Sequence, residues 1–185
     1  PKTSSAASDV YKRQVKRLKE KSPGKLIIKE YPTASAHSGH FKALLNELAL
    51  KKSFKPDVLF IDYLNICSSS RFKGGNISSY FYIKAIAEEL RGLAVEFKLP
   101  IFTATQTTRS GFVSTDIGLE DTSESFGLPA TADFMFALMT SEELDSLNQM
   151  KVKQLKNRYS DPAINRSFII GVDRSKMRLY DVEQK

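Results

Sequence analysis

The sequence predicts an α/β fold in which helices flank a mostly parallel sheet that has an antiparallel C-terminal extension. Two observations support this fold class. From residue 25 to about residue 150, short apolar runs alternate with 12- to 20-residue stretches of helical periodicity, as in βαβ units. After Met150 the pattern changes to strands without long helices, which favours an antiparallel extension at one edge of the sheet.

The first predicted elements are a strand and a helix. The strand, residues 25–31, contains three consecutive aliphatic residues and ends at Pro32. Thr33 or Ser35 is expected to cap the helix that follows. The apolar side chains of that helix fall at i, i+3, i+4 and i+7, and therefore on one face: Phe41, Leu44, Leu45 and Leu48.

A second helix is predicted over roughly residues 78–98, and Leu99-Pro100 ends it. Its apolar stripe is expected to consist of Ile83, Ile86, Leu90, Leu93 and Phe97. A capping box, Thr140-x-x-Glu143, predicts a short helix nearer the C-terminus.

Short apolar runs predict the remaining strands. Those of the main sheet are expected at residues 58–62, 101–105 and 134–138, and those of the extension at roughly 151–158, 167–173 and 176–181. Polar, glycine-containing loops are expected at residues 68–76 and 107–121.

The chain is long enough for one domain with a sizeable core. Residues 1–21 are predicted to be a tail or a truncated N-terminal segment, and residues 22–185 the domain. A net charge of +7 is typical of proteins that bind nucleic acid. Residues 1–21 contribute +5 of it, however, so the rest of the chain is only weakly basic. A basic segment (151–178) and an acidic one (107–133) are segregated along the chain, as on a polar working face or on an ordinary solvated surface.

The composition also indicates the cellular compartment and argues against a metal site. No apolar stretch approaches the roughly 18 residues of a membrane span, and the N-terminus lacks the apolar core of a signal peptide. The single cysteine, Cys67, excludes an internal disulfide and fits a reducing compartment, where it is expected to be a plain thiol. His37 and His40 have no further ligands at suitable spacing, so solvated helix residues are favoured over a metal site.

The run at residues 58–62 ends on Asp62 and is the strongest functional signal. It is typical of a strand buried on both faces, and an acid at its carboxyl end lies where open α/β sheets bind ligands. In P-loop NTPases such an acid, in the pattern called Walker B, helps to hold Mg²⁺. The partner motif G-x-x-x-x-G-K-S/T is absent and is expected upstream of residue 1. An ordinary strand end is the alternative interpretation.

Two further positions suit phosphate chemistry. Gln106 follows the strand at 101–105, where its amide can bond a γ-phosphate or an attacking water; a simple strand-end glutamine is the alternative. Lys156 and Arg158 lie in a basic strand, and the planar guanidinium of Arg158 suits a transferring phosphoryl group, including one on a neighbouring subunit. The alternative is an edge strand whose charges discourage aggregation.

Five segments, taken in order and spacing, resemble the DnaB-type replicative helicases, most closely those of T-even-like phages. They are residues 57–65, 85–94, 103–111, 121–133 and 156–158. Agreement among five moderately specific motifs in order is strong support. The resemblance implies a RecA-like P-loop NTPase core, a homohexameric ring, and translocation on single-stranded DNA with unwinding of duplex, driven by ATP or another NTP with Mg²⁺.

The resemblance also assigns roles to residues. It gives Asp62 to Mg²⁺, Gln106 to γ-phosphate sensing, and Lys156 and Arg158 to the neighbouring subunit's nucleotide. It assigns DNA contact to the segment 121–133 and the loop before it. The candidate DNA-binding residues there are Arg109, Ser123, Glu124 and Gly127. Ser123 stands where bacterial members usually have arginine, so phosphate contact here would depend more on backbone N–H groups and Arg109.

The family's phosphate loop, its catalytic glutamate and its primase-recruiting domain precede the matched region, so this fragment alone is expected to lack activity. Primase and a helicase loader would bind parts outside the chain, in bacterial or phage-infected host cytoplasm, without a membrane. A RecA-type recombinase ATPase, or a non-catalytic DNA-binding or ring-assembly module, remains an alternative. A G-x-x-x-x-G-K-S/T motif within about 50 residues upstream would favour the helicase motor over the non-catalytic module.

Overall fold

The structure is a computed structural model that describes residues 13, 16–17, 20–21, 23–72, 77–107, 118–119, 127–161 and 163–184. The chain divides into two compact units, Pro1–Tyr31 and Pro32–Lys185. In the first unit, the described residues up to Lys21 are helical and residues 25–31 have no regular secondary structure. The strand predicted at 25–31 is therefore wrong. Leu26 and Ile28 are 82% and 83% exposed, and an apolar run forms a stable strand only where a sheet covers it.

The first helix of the second unit, α1 (Ser38–Lys52), buries the predicted apolar face through Phe41, Leu45 and Leu48. Its cap is not Thr33 or Ser35, as the sequence predicted, but His37. The His37 ring accepts a hydrogen bond from the Gly39 N–H at 3.0 Å, and the His40 ring accepts one from the His37 N–H at 3.2 Å. Ser35 instead donates to the Pro32 carbonyl within the preceding turn.

The second helix, α2 (Ser79–Phe97), confirms the predicted stripe except at its end, where Phe97 is only partly buried. Its buried side chains include Ile83, Ile86, Leu90 and Leu93, which pack toward the core of the second unit. The helix ends at Lys98, whose left-handed backbone (φ 52°) closes it just before Leu99-Pro100.

Strands β1 (Leu59–Ile61) and β2 (Ile101–Thr103) form a parallel pair, with Ile61 opposite Thr103. A short 3₁₀ turn, Leu64–Ile66, follows β1. Only one face of this pair is well covered in the described part of the chain: Ile61 is 9% exposed, whereas Phe60 is 70% exposed and stacks on Phe102. The prediction that this strand is buried on both faces is thus wrong for Phe60.

The remaining strands form a separate antiparallel sheet in the order β3-β4-β5-β6. Their bounds are Phe134–Met139, Gln149–Asn157, Ser167–Asp173 and Arg178–Asp181. Two short helices, α3 (Gly127–Thr131) and α4 (Glu142–Ser146), flank β3 along the chain. The predicted antiparallel strands are present, but they form a sheet of their own rather than an extension at the edge of the parallel sheet, and β3 belongs to that sheet.

The connection between β3 and β4 explains why that pair is antiparallel. It runs from Thr140 to Asn148, which is too short for the crossover of a dozen or more residues that a parallel pair requires. Within it, α4 is capped by Ser141, whose hydroxyl accepts from the Leu144 N–H at 3.2 Å, and not by the predicted Thr140. The Thr140 hydroxyl bonds the Asp145 carboxylate instead.

The mixed α/β content is therefore as predicted. The prediction of a mostly parallel sheet is wrong for the described residues, in which two strands pair in parallel and four pair antiparallel. The same part of the chain contains no helix that combines the length and the apolarity needed to cross a membrane.

Candidate active site

Asp62 and Gln106 follow neighbouring parallel strands and so lie at the same edge of the sheet. Asp62 comes directly after β1, and Gln106 comes three residues after β2. Both side chains are exposed, and the Gln106 Nε2 donates to the Tyr63 hydroxyl at 3.3 Å. The predicted adjacency of the two strands is confirmed, and the roles of the two side chains stay a prediction.

Side-chain and backbone hydrogen bonds fix the segments that follow β1 and β2 against each other. The Thr103 hydroxyl donates to the Ile61 carbonyl at 2.9 Å, and the Thr105 hydroxyl donates to the Asn65 Oδ1 at 2.8 Å. The Leu64 N–H donates to the Ala104 carbonyl at 3.1 Å. The edge that presents Asp62 and Gln106 is therefore cross-linked at three points, and a site gains precision from such support.

The chemistry of this edge fits a Mg²⁺–nucleotide better than a free metal ion. The described residues contain no group of three or more His, Cys, Asp or Glu side chains that could hold a metal. Mg²⁺ is usually bound through one or two carboxylates together with substrate phosphates and water. The exposed carboxylate of Asp62 suits that arrangement, in which the nucleotide supplies the remaining oxygen ligands.

A second polar cluster, which we call the Asp133 cluster, consists of Arg91, Asp133, Lys156 and Arg158. The Asp133 Oδ1 accepts from the Nη1 of Arg91 at 2.8 Å and from the Nη1 of Arg158 at 2.9 Å. Arg91 also donates to the Thr131 carbonyl at 2.7 Å. The Lys156 Nζ donates to the Pro129 carbonyl at 2.5 Å. The predicted basic pair thus contacts the last turn of α3 and the residue just before β3.

The electrostatics of the Asp133 cluster favour a further anion. Three cations and one carboxylate give it a net charge of +2. The hydrogen bond from Arg91 lowers the pKa of Asp133 and outweighs the opposing effect of burial, and the hydrogen bond from Arg158 lowers it further. Partial burial and then the charge of Arg158 lower the pKa of Lys156. Lys156 thus lies in surplus positive potential, which an incoming phosphate would relieve.

The structure bears on the alternative interpretation of this basic strand. Strand β4 lies between β3 and β5, so it is not an edge strand. This holds for Lys151 and Lys153. The pairing with β5 ends at Lys153, so the stretch with Lys156 pairs with β3 alone, and the alternative stays open for Lys156 and Arg158. Arg158 lies just beyond the end of β4, where its N–H donates to the Asp133 carbonyl at 3.1 Å.

Most of the predicted DNA-contacting residues cannot be placed. Arg109, Ser123 and Glu124 lie outside the described residues, and Gly127 is the first residue of α3. Their assignment stays a prediction. The C-terminal end of the predicted DNA segment is nonetheless described, and the Asp133 cluster holds it.

Cys67, His37 and His40 each make hydrogen bonds within the fold. The Cys67 thiol is buried and donates to the Tyr63 carbonyl at 3.6 Å, and burial raises its pKa. The two histidines take part in capping α1: His40 is an exposed helix residue, as predicted, and His37 is the partly buried cap residue.

The sequence did not single out Arg91, Asp133 or Glu89 for a role. Each makes its main contacts with residues far away in the chain, such as Asp133 with Arg91, 42 positions apart. No local spacing motif reports such a contact, so only the five-segment resemblance, which includes 85–94 and 121–133, pointed to these stretches.

Comparison with known proteins agrees with these motifs. No family model matches the chain. The sequence is 45% identical over 175 residues to a DnaB-like replicative helicase of Enterobacteria phage T4, covering 94% of this chain and 37% of that protein. The chain therefore spans little more than a third of that relative's length.

Solved structures show the same fold. One is an ATPase domain with a TM-score of 0.68 and 19% identity, covering 80% of this chain and 52% of that one. Another is a DnaB-like replicative helicase solved for its interactions with primase, with a TM-score of 0.67 and 19% identity, covering 80% and 36%. The predicted resemblance to DnaB-type replicative helicases is thus confirmed.

Proposed function

We propose that this chain, which is similar to DnaB-like replicative helicases over 94% of its length, is part of the motor of an NTP-driven hexameric helicase. The motor translocates on single-stranded DNA and unwinds duplex in bacterial or phage-infected host cytoplasm. Primase and a loader bind to parts of the protein outside this chain. The chain is the part of a RecA-like core that follows the phosphate loop.

One observation carries this proposal: Asp62 and Gln106 follow adjacent parallel strands at one cross-linked edge. Ligands in open α/β sheets bind outside the carboxyl ends of the strands. Asp62 would hold Mg²⁺ there, and Gln106 would contact the γ-phosphate of ATP or another NTP. Mg²⁺ supplies charge neutralisation for phosphoryl transfer when it is bound. The hydrogen bond to Tyr63 holds the Gln106 amide at this edge until a phosphate competes for it.

The Asp133 cluster completes the proposal. Lys156 and Arg158 are the cations that reach the nucleotide of the neighbouring subunit in the ring. The cluster's net positive charge supports this role, because a polyphosphate would balance it. Residues 121–133, with Arg109, Ser123, Glu124 and Gly127, contact the DNA backbone.

The test compares two aspartates at opposite ends of β1 in the full-length protein that contains this chain. Asp62→Asn removes the charge proposed to hold Mg²⁺, and hydrolysis of ATP and strand separation should each fall by about 100-fold or more, since metal stabilisation is worth several kcal/mol. Asp57→Asn makes the same change at the exposed amino end of the strand and should leave both rates unchanged.

Three results would contradict the proposal. Asp62→Asn could retain the wild-type rate of hydrolysis, or both variants could lose it equally. Alternatively, the wild-type protein could exchange homologous strands without unwinding a forked duplex, which would favour a recombinase.

A further inference from the structure

Arg158 is held within its own chain at two points, and both involve Asp133. The backbone N–H of Arg158 donates to the Asp133 carbonyl at 3.1 Å, which sets the two residues opposite each other. The guanidinium then donates to the Asp133 Oδ1 at 2.9 Å. In this arrangement the charged end of Arg158 is directed to a residue of its own subunit.

The side-chain contact is weak enough to be exchanged. About half of the Arg158 side chain (49%) is exposed, and solvent-exposed ion pairs contribute little because water screens them. Asp133 also shares the same oxygen with Arg91. A triphosphate offers several oxygens and more charge than one shared carboxylate, so it can displace Asp133 from Arg158.

The same carboxylate is tied to helix α3. Arg91 bonds both Asp133 and the Thr131 carbonyl, and Lys156 bonds the Pro129 carbonyl. The last turn of α3 and Asp133 are therefore held by one set of cations. A displacement of α3 changes where the Asp133 carboxylate lies relative to Arg158.

We infer that Asp133 is a positioning residue that holds Arg158 within its own subunit and releases it to the neighbouring nucleotide when α3 moves. The inference rests on the proposed function, since it assumes that Arg158 acts on a neighbour and that residues 121–133 contact DNA. Beyond that function, the inference names Asp133 as a competitor of the nucleotide for Arg158. It also provides a physical link between DNA binding and ATP hydrolysis.

The test uses Asp133→Asn in the full-length protein. The variant keeps a side-chain oxygen of the same shape but removes the charge that competes for Arg158. Without DNA, kcat for ATP hydrolysis should rise about two- to five-fold, the range expected for loss of an exposed ion pair, while KM stays unchanged. The ratio of DNA-stimulated to DNA-free kcat should fall by the same factor. Structural damage would lower the rate instead.

Two controls isolate the effect. Asp145→Asn breaks another exposed aspartate–arginine pair, with Arg174, and should leave kcat and the stimulation ratio unchanged. Asp133→Asn combined with Arg158→Ala should show no gain over Arg158→Ala alone, because the gain requires Arg158.

The outcomes separate this inference from the proposed function. If the kcat of Asp133→Asn without DNA equals or falls below that of the wild type, the inferred role of Asp133 is wrong. Hydrolysis by the wild-type protein would still support the proposed motor function. A gain that persists without Arg158 also overturns the role of Asp133. If the wild-type protein hydrolyses no NTP in the presence of DNA, the proposed function itself fails.

Discussion

Glu89 joins three parts of the fold through one carboxylate. It accepts hydrogen bonds from the hydroxyls of Ser38 (2.9 Å), Ser69 (2.6 Å) and Ser70 (2.7 Å). Ser38 begins α1, the other two serines follow the 3₁₀ turn after β1, and Glu89 itself is in α2. Partial burial alone would raise the pKa of Glu89, but the hydrogen bonds outweigh it and lower the pKa to about 2.

We expect Glu89→Gln to lower the free energy of unfolding by about 1–2 kcal/mol at pH 7, after discounting for solvent exposure. The pKa of the folded state lies below the ordinary value of 4.5, so the ionised carboxylate stabilises the fold above pH 4.5. This contribution is lost as the pH falls from 4.5 toward 2. Urea unfolding at pH 7 and at pH 3 should therefore show a smaller difference between variant and wild type at the lower pH.

Glu96→Gln is the matched control on the same helix. Glu96 makes a half-exposed ion pair with Lys42 and should contribute less than about 1 kcal/mol. Equal losses for the two variants, or a Glu89 effect that does not change with pH, would mean that the serine contacts do not stabilise the carboxylate.

At the scale of single residues, the sequence indicated side chains that stand at strand ends and missed those defined by distant partners. Asp62 and Gln106 could be identified because a buried run and the next polar residue are adjacent in the chain. Glu89 could not, since its contact with Ser38 spans 51 positions and depends on how α1 and α2 pack.

At the scale of elements, the packing of the Tyr180 aromatic ring on the β5–β6 pair requires a glycine at position 171. Gly171 lies opposite Tyr180, and a Cβ at Gly171 would overlap with the Cε2 and Cζ atoms of that ring. Gly171→Ala should lower the free energy of unfolding by about 1–3 kcal/mol because the ring must leave the strand surface. In a Tyr180→Ala background the same change should cost clearly less, as a double-mutant cycle by urea unfolding can measure.

Gly92→Ala is the control for Gly171→Ala and is expected to change stability in the opposite direction. Gly92 is exposed within α2, and a Cβ there would meet no atom within 4 Å. Alanine should raise the free energy of unfolding by about 0.5–1 kcal/mol, because glycine is unfavourable in a helix interior. If both glycine substitutions changed stability in the same direction, the overlap with Tyr180 would not be the cause.

The elements that the sequence predicted best are those whose signal is local. The apolar stripes of α1 and α2 repeat within a few residues, and both helices formed where they were expected. Strand partners depend on distant segments. That is why residues 25–31 form no strand and β3 joins the antiparallel sheet.

At the scale of the whole molecule, the described residues form two chemically distinct polar sites. One presents Asp62 and Gln106, which suit a Mg²⁺–nucleotide, and the other presents the Asp133 cluster with its surplus positive charge. In a ring of identical subunits, a site of the first kind can meet a cluster of the second kind from the next subunit. The proposed function therefore predicts hydrolysis that is shared between subunits.

Arg158→Ala in the full-length protein tests this sharing. The substitution should lower the rate of ATP hydrolysis by about 10³-fold or more, because it removes the cation that we propose stabilises the transferring phosphoryl group. Folding and nucleotide binding should be largely unchanged, since Arg158 is half exposed and its ion pair contributes little to stability. Circular dichroism and calorimetric titration with ATP–Mg²⁺ check both points.

Mixing then distinguishes action between subunits from action within one. A second variant, inactivated in the phosphate loop, keeps Arg158, so a ring containing both variants has some interfaces that pair an intact loop with an intact Arg158. Those interfaces should restore part of the ATPase activity, and the recovered rate should vary with the mixing ratio. If mixed rings form, as native mass spectrometry can verify, yet the mixture stays as inactive as either variant, then Arg158 acts on its own subunit's nucleotide or serves only to hold Asp133.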